Sequence, residues 1–302
     1  MKAIAALLLL TAIAAPSPAA AAAPKAAAVS APAFASERIG VTVRGSGPDV
    51  VLIPGLSSSP DVWNSTIEAL PGYRYHVVHV AGFAGRAPGA NASGEVVAPV
   101  AEEIARYIRE SKLKQPAIVG HSLGGAWAMM VASKYPDLAS KIMVVDMMPF
   151  MGAMFGGPTA TPDTIRPIAE QIRTGIASSN GDTRTKMTEQ TIAGMVKTES
   201  LRPAAVAHTL SSDATVSGQA MYDLLLLDLR PALKNIKVPM QVLWVRPAGA
   251  PISEEQMGQF YQMSYANAPQ AKLTNVPNAY HFIMWDAPEA FQRELKAFLA
   301  AK

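Results

Sequence analysis

The chain contains no cysteine. That excludes disulfides, thiolate metal sites and a lipidated N-terminal cysteine. Charge is sparse: Asp, Glu, Lys and Arg make up 16% of the residues, and the net charge is +3. The lysines and arginines form no cluster or stripe, so nucleic acid is not a predicted partner. No two histidines stand at ligand spacing. His76 and His79 lie three apart in "YRYHVVHV", so on a strand they face opposite sides. A protein-bound metal is therefore not expected. Long hydrophobic runs are also scarce. One, Ala3 to Ala15, follows a single early lysine and precedes small residues, and it falls short of the ~20 residues that span a bilayer. This is the pattern of a secretory signal peptide. We read residues 1–23 as that peptide and residues 24–36 as an Ala/Pro-rich tether. The protein is then periplasmic or secreted, with no stable membrane anchor after cleavage.

What is present is apolar and regular. Half of the 302 residues are hydrophobic, enough for a sizeable core. "RIGVTVRG" alternates like a half-buried strand, "DVVLIPG" is the short apolar run of a buried parallel strand, and "YRYHVVHV", "QPAIVGHS", "KIMVVDMMP" and "KVPMQVLWV" read as strands. "AKLTNVP" is a further strand. Helical spacing fills several of the gaps: about Val96 to Glu110, "LGGAWAMMVASKYP", about Ser253 to Asn267, and from Asp286 onward. Strands alternating with helices predict an α/β fold, a mostly parallel twisted sheet with helices on both faces. Residues 149–228 have polar helical texture and no convincing strand. They read as a helical lid inserted after the strand ending at Asp146. The core is then 37–148 together with 229–302.

The chemistry centres on "GHSLGG". A G-x-S-x-G between a strand and a helix puts the serine, Ser122, on a tight turn with its hydroxyl in the cleft. Gly120 and Gly124 leave room for strand and helix to cross closely. The Leu123 N–H sits at a helix N-terminus, where it can stabilise an oxyanion. A second donor is expected from "LIPGLSSSPDVW", where the Leu56 N–H follows Pro54 and Gly55. The base is expected near the C-terminus, and "NVPNAYHFIMWDAPEAF" supplies His281. His121 is expected to point away from the cleft and His208 to be a satisfied surface residue.

With these residues placed, the chain resembles the α/β-hydrolase family from about Arg38 to Leu299. The resemblance rests on "PGLSSSPDVW", "GHSLGGAWAMMVASKYPDLASKIMVVD", "DLRPALKNIKVPMQVLWV" and "HFIMWDAPEAF". It implies a Ser–acid–His triad, no cofactor, and hydrolysis of esters or related acyl compounds. Family members that dehalogenate or open epoxides carry aspartate where this chain has Ser122.

The acid departs from the commonest family pattern. After the penultimate strand, "VLWVRPAGAP" has Val245 where glycine is usual and Ala248 where Asp is usual. Asp146, closing the strand that follows the serine's helix, is the favoured acid. Glu254, Glu255 and a Ser–His dyad are the alternatives. Asp286 reads as a helix N-cap, with Glu289 at the third helical position, and Asp228 as a cap or lid-closing residue. The Met-rich run after Asp146 is either core under the lid or an adaptable apolar pocket, with Met147, Met148, Phe150 and Met151 as its lining. Arg86 and Arg246 are the only cations in the cleft-forming stretches, so the partner expected is a small apolar ester or lactone. Two other functions share the scaffold: a non-catalytic binding protein, and a cofactor-free peroxidase or C–C hydrolase.

Overall fold

In a computed structural model, residues 34–301 are described. The expected signal peptide, residues 1–23, and most of the expected tether lie outside them. The seven expected segments form seven strands: β1 Ile39–Gly45, β2 Asp49–Ile53, β3 Arg74–Val80, β4 Ala117–His121, β5 Lys141–Val145, β6 Met240–Trp244 and β7 Ala271–Asn275. They join in one sheet of order β1-β3-β2-β4-β5-β6-β7. Only the pairing of β1 with β3 is antiparallel. The helices are α1 Asn64–Ala69, α2 Val97–Glu110, α3 Leu123–Lys134, α4 Ala153–Gly156, α5 Pro162–Ser178, α6 Gly181–Met195, α7 Arg202–Leu210, α8 Ala214–Leu226, α9 Glu254–Ser264, α10 Ile283–Asp286 and α11 Pro288–Ala300.

The two-residue period of the strands sorts the core into two layers. Val51, Ile53, Ile118, Ile142 and Val144 face α2 and α3, with Ile104 and Trp127 packed among them. Val50, Leu52, Val119, Met143 and Val145 face the other way, towards Trp63 and the α11 residues Phe291, Leu295 and Phe298. Each such fully buried side chain contributes ~1.5–3 kcal/mol of transfer free energy. Because β2 and β4 are neighbours while β3 lies outside β2, the strand order reverses between them. The carboxyl ends of β2 and β4 flank that switch point, where open α/β sheets bind ligands.

The packed chain begins before Glu37. Phe34 packs edge-on against Tyr107 at 5.0 Å, under the Arg106 guanidinium at 4.4 Å. The Ser36 hydroxyl accepts from the Arg38 and Ile39 N–H groups.

Helices α4 to α8 all lie between β5 and β6, over the carboxyl ends of the strands. Their attachments to the sheet domain are specific. Asp213 N–H donates to Gly82 O (2.8 Å), and Gly85 N–H donates to Ser211 O (3.1 Å). Asp223 accepts from the Val96 and Val97 N–H groups at 2.7 and 3.1 Å, so an acid on α8 satisfies the first turn of α2. Ser57 and Ser217 share a buried hydroxyl–hydroxyl hydrogen bond of 2.8 Å.

Candidate active site

Ser122 follows the last residue of β4 and precedes the first of α3, with φ 53° and ψ −125°. That conformation is costly for a residue with a Cβ, roughly 1–3 kcal/mol. It is held by tight neighbours. A Cβ on Gly120 would run into the Gly124 carbonyl, and one on Gly124 into the Ile53 carbonyl. The Ser122 N–H is tied to Val145 O on β5 (2.9 Å). Gly55, after β2, approaches from the other side: a Cβ there would lie 3.0 Å from Ser122 Cβ. Asp146 and Ser57 also have positive φ, 52° and 54°, so three left-handed non-glycine residues surround one spot.

Asp146 closes β5 and turns towards β6, its N–H donating to Leu243 O (2.7 Å). The carboxylate's Oδ2 lies 2.6 Å from His281 Nδ1. Its Oδ1 accepts from the Val245 N–H (3.2 Å) and the Tyr261 hydroxyl (3.0 Å). The strand end that lacks the usual acid thus supplies a backbone donor to the acid one strand over. Tyr261 is fully buried on α9, and burial, with the Asp146 charge beside it, pushes its hydroxyl well above the ordinary tyrosine range. It therefore stays protonated and donates. Tyr261 is a supporting residue that sequence reasoning missed. Its only sequence signal is an i, i+4 pair with Tyr265, whose hydroxyl donates to Met147 O (2.6 Å).

His281 is held from two further directions. His121 Nε2 donates to the His281 carbonyl (3.0 Å), and the two rings pack at 4.6 Å. His121 does not point away from the cleft, as expected from the turn; it buttresses the His281 loop and touches the cavity. Burial, and secondarily the neighbouring His281, pull its pKa well below 6.5, so it is neutral. Its Nδ1 is buried with no hydrogen-bond partner. Asp286 accepts from the N–H groups of Lys197 (3.0 Å), Thr198 (2.8 Å) and Tyr280 (3.0 Å). It is not the N-cap of α11: that position is Ala287, without a side-chain cap. Asp286 instead joins the segment after α6 to the His281 loop. Asp228 pairs with Arg230 at 2.7 Å, and Arg230 donates onward to the Pro158 and Ala160 carbonyls.

The oxyanion candidates lie beside Ser122. The Leu123 N–H is an unpaired first-turn donor of α3, whose first internal bonds run from Gly125 and Ala126 to Ser122 O. After β2, a turn closed by Ser58 N–H to Gly55 O (3.2 Å) leaves the Leu56 N–H outside it. Glu254 instead bonds Asn275 at the start of α9, and neither it nor Glu255 lines the cavity.

Ser122, Asp146 and His281 open on a cavity of about 550 Å³ between the strand ends and α4 to α8. Met147, Met148 and Met151 line it, joined by Met154, Met187, Met195, Met221 and Met257. Phe150 does not. It is buried on the other side of that run with Ala153, Ile165 and Leu225, under the Arg230 guanidinium at 4.6 Å. Neither Arg86 nor Arg246 lines the cavity; the lining cation is Arg184 on α6. His208 is not fully satisfied as expected: its Nδ1 is buried without a partner. A second depression of about 610 Å³, among charged residues of α2 and α3, contains none of the Ser122 constellation.

A serine at a strand–helix elbow, a histidine after the last strand and an aspartate bonded to it define a hydrolase site on an α/β sheet. The chain belongs to the alpha/beta hydrolase family, whose sequence profile matches residues 50–294. It is similar to a pimeloyl-[acyl-carrier protein] methyl ester esterase of Vibrio vulnificus, 34% identical over 43% of this chain and 48% of that protein. The aligned region is thus about half of that relative's length. The esterase of the same name from Vibrio cholerae is 29% identical over 68% of this chain and 78% of its own. Among solved structures, an esterase from Exiguobacterium antarcticum superposes with a TM-score of 0.71 over 87% of this chain and 96% of that one, at 21% identity.

Proposed function

We propose that this protein is a serine hydrolase that cleaves carboxylic esters through an acyl-enzyme on Ser122. The observation that carries the reading is the 2.6 Å contact between His281 Nδ1 and Asp146 in the cavity onto which Ser122 opens. Asp146 holds Nδ1–H, which leaves Nε2 as the basic nitrogen. Nε2 takes the Ser122 proton as Oγ attacks the acyl carbon. The Leu56 and Leu123 N–H groups bind the oxyanion. The same nitrogen returns the proton to the leaving alcohol, then activates the water that frees the acid and regenerates Ser122.

The methionine walls suit an apolar acyl chain of moderate length, because thioether side chains adapt to irregular shapes. The volume falls within the range of small-molecule sites, about 300–1,000 Å³. The relatives named as methyl ester esterases support a small alcohol leaving group, and lactones are a second substrate of the same chemistry. In this reading α4 to α8 form a lid fixed to the sheet domain by Asp213, Asp223 and Asp286, so substrate enters past α4 and α6, where Met154 and Met187 are exposed. We further propose export to the periplasm or beyond, supported by the signal-like pattern of residues 1–23. Among the described residues, no helix is long and apolar enough to cross a membrane.

A fluorophosphonate probe tests the reading. Covalent labelling of the wild-type chain and none of Ser122→Ala is expected, with p-nitrophenyl ester turnover lost in parallel. Equal labelling of the two would overturn it.

A further inference from the structure

Among the residues lining the cavity, two carry formal charge: Asp146, which faces His281, and Arg184. Arg184 is placed deliberately. On α6 it is followed at helical spacings of four and three by Thr188 and Thr191, so the three form one stripe, and all line the cavity. The end of α7 grips the guanidinium. Nη2 donates to Thr209 O (3.0 Å) in the last turn of α7 and to Ser212 O (2.6 Å) just beyond its end. Those two bonds use one nitrogen. Among the described residues, Nε and Nη1 donate to no protein group, and no carboxylate lies within 4.0 Å of the side chain. A cation held in one orientation, with donors to spare, thus stands among thioether walls that screen charge poorly.

We propose that Arg184 is an anion subsite and that the esters this site prefers carry a carboxylate on the acyl part, away from the scissile carbonyl. This rests on the esterase reading and narrows its substrate class to half-esters of dicarboxylic acids. The free N–H groups of Arg184 bind the distal carboxylate, while the methionines hold the methylene chain between it and Ser122. Chain length then matters: one spacing satisfies both ends, and shorter or longer chains lose one of them.

The test compares monoethyl esters of adipic, suberic and sebacic acids with neutral ethyl esters of the same acyl length. The wild type is expected to favour at least one half-ester over its neutral partner by about 10- to 100-fold in kcat/KM, the worth of a charge-assisted hydrogen bond. Arg184→Gln should bring that ratio close to one, while Arg184→Lys should retain part of it. Thermal melts of both variants report whether the tie to the end of α7 is lost. A purely structural Arg184 would lower both ester classes together and leave the ratio unchanged, which overturns the proposal, as does a wild-type ratio near one at all three lengths. Calorimetry on Ser122→Ala with monoethyl suberate separates the two readings. Binding weakened by adding Arg184→Gln, without turnover in the wild type, retires the esterase chemistry and keeps the subsite. Turnover of neutral esters with no Arg184-dependent binding does the reverse.

Discussion

Replacing Asp146 with asparagine changes one atom and reverses a hydrogen bond. Oδ1 of Asp146 accepts from the Tyr261 hydroxyl and from the Val245 N–H, which can only donate. The asparagine carbonyl must therefore take that position. Its NH₂ then occupies the Oδ2 position, 2.6 Å from His281 Nδ1 in the wild type. An amide N–H facing Nδ1 requires Nδ1 to accept, so the ring proton moves to Nε2, and the nitrogen that should take the Ser122 proton already carries one. A wrong tautomer in a triad lowers turnover by about 10⁴, equivalent to ~5.4 kcal/mol of transition-state stabilisation. The packing is nearly unchanged, so the melting temperature should move by only a few degrees. The assay is kcat/KM on a p-nitrophenyl ester, with fluorophosphonate labelling rate as a second readout. Turnover of Asp146→Asn within about threefold of wild type, in a protein of unchanged melting temperature, would show that His281 is not oriented by Asp146.

Three further outcomes follow from the same contacts. Tyr261→Phe removes one of the two donors on Asp146 Oδ1 and should lower kcat/KM about tenfold, whereas Tyr265→Phe, whose hydroxyl bonds Met147 O, should affect melting more than turnover; equal turnover in both would refute the distinction. Asp286→Ala leaves three backbone N–H groups without their carboxylate and should cost about 2–3 kcal/mol in denaturant unfolding, with loss of activity on the His281 loop; an unchanged midpoint would count against that tie. His121 has a folded pKa depressed below the ordinary 6.5, so the unfolded chain binds its proton first as pH falls: the stability His121 contributes is full above that value and is lost below it, at up to about 1.4 kcal/mol per pH unit. His121→Gln should flatten this slope in unfolding measured at pH 8, 6 and 5, and an identical slope would refute it.

The strands and their order of appearance are legible because a parallel strand buried on both faces writes itself as an apolar run, as β2, β4 and β5 do, while the half-buried edge strand β1 alternates. The elbow is legible because only glycine tolerates the carbonyl contacts at positions 120 and 124. Asp146 could be singled out by an absence: no carboxylate follows β6 before Glu254. What no periodicity shows is that Val245, standing in the vacated place, turns its N–H onto Asp146. A residue's backbone is invisible to reasoning from side-chain type.

The misreadings share a cause, which is competition between a local pattern and a distant partner. Asp286 precedes Pro288 and Glu289 in the form of a helix start, yet three N–H groups from two other segments outcompete the local donors for its carboxylate. Phe150 lies in the same Met-rich run as Met147 and Met151, but a turn after β5 sends its ring to the opposite side, where Arg230 covers it. Arg184 carries no motif and lies in a helix of ordinary polar composition; it reaches the cavity only because α6 packs over strand ends far away in the sequence. The residues that perform chemistry on any ester are written in short motifs around Ser122 and His281. On the proposed reading, those that choose among esters come from α4 to α8, where one helix rotated by a single residue would replace Arg184 with Thr185 on the cavity wall. If Arg184 selects the substrate as proposed, specificity on this scaffold is set by helix packing, and a chain can keep the elbow and the histidine loop intact while its substrate class changes.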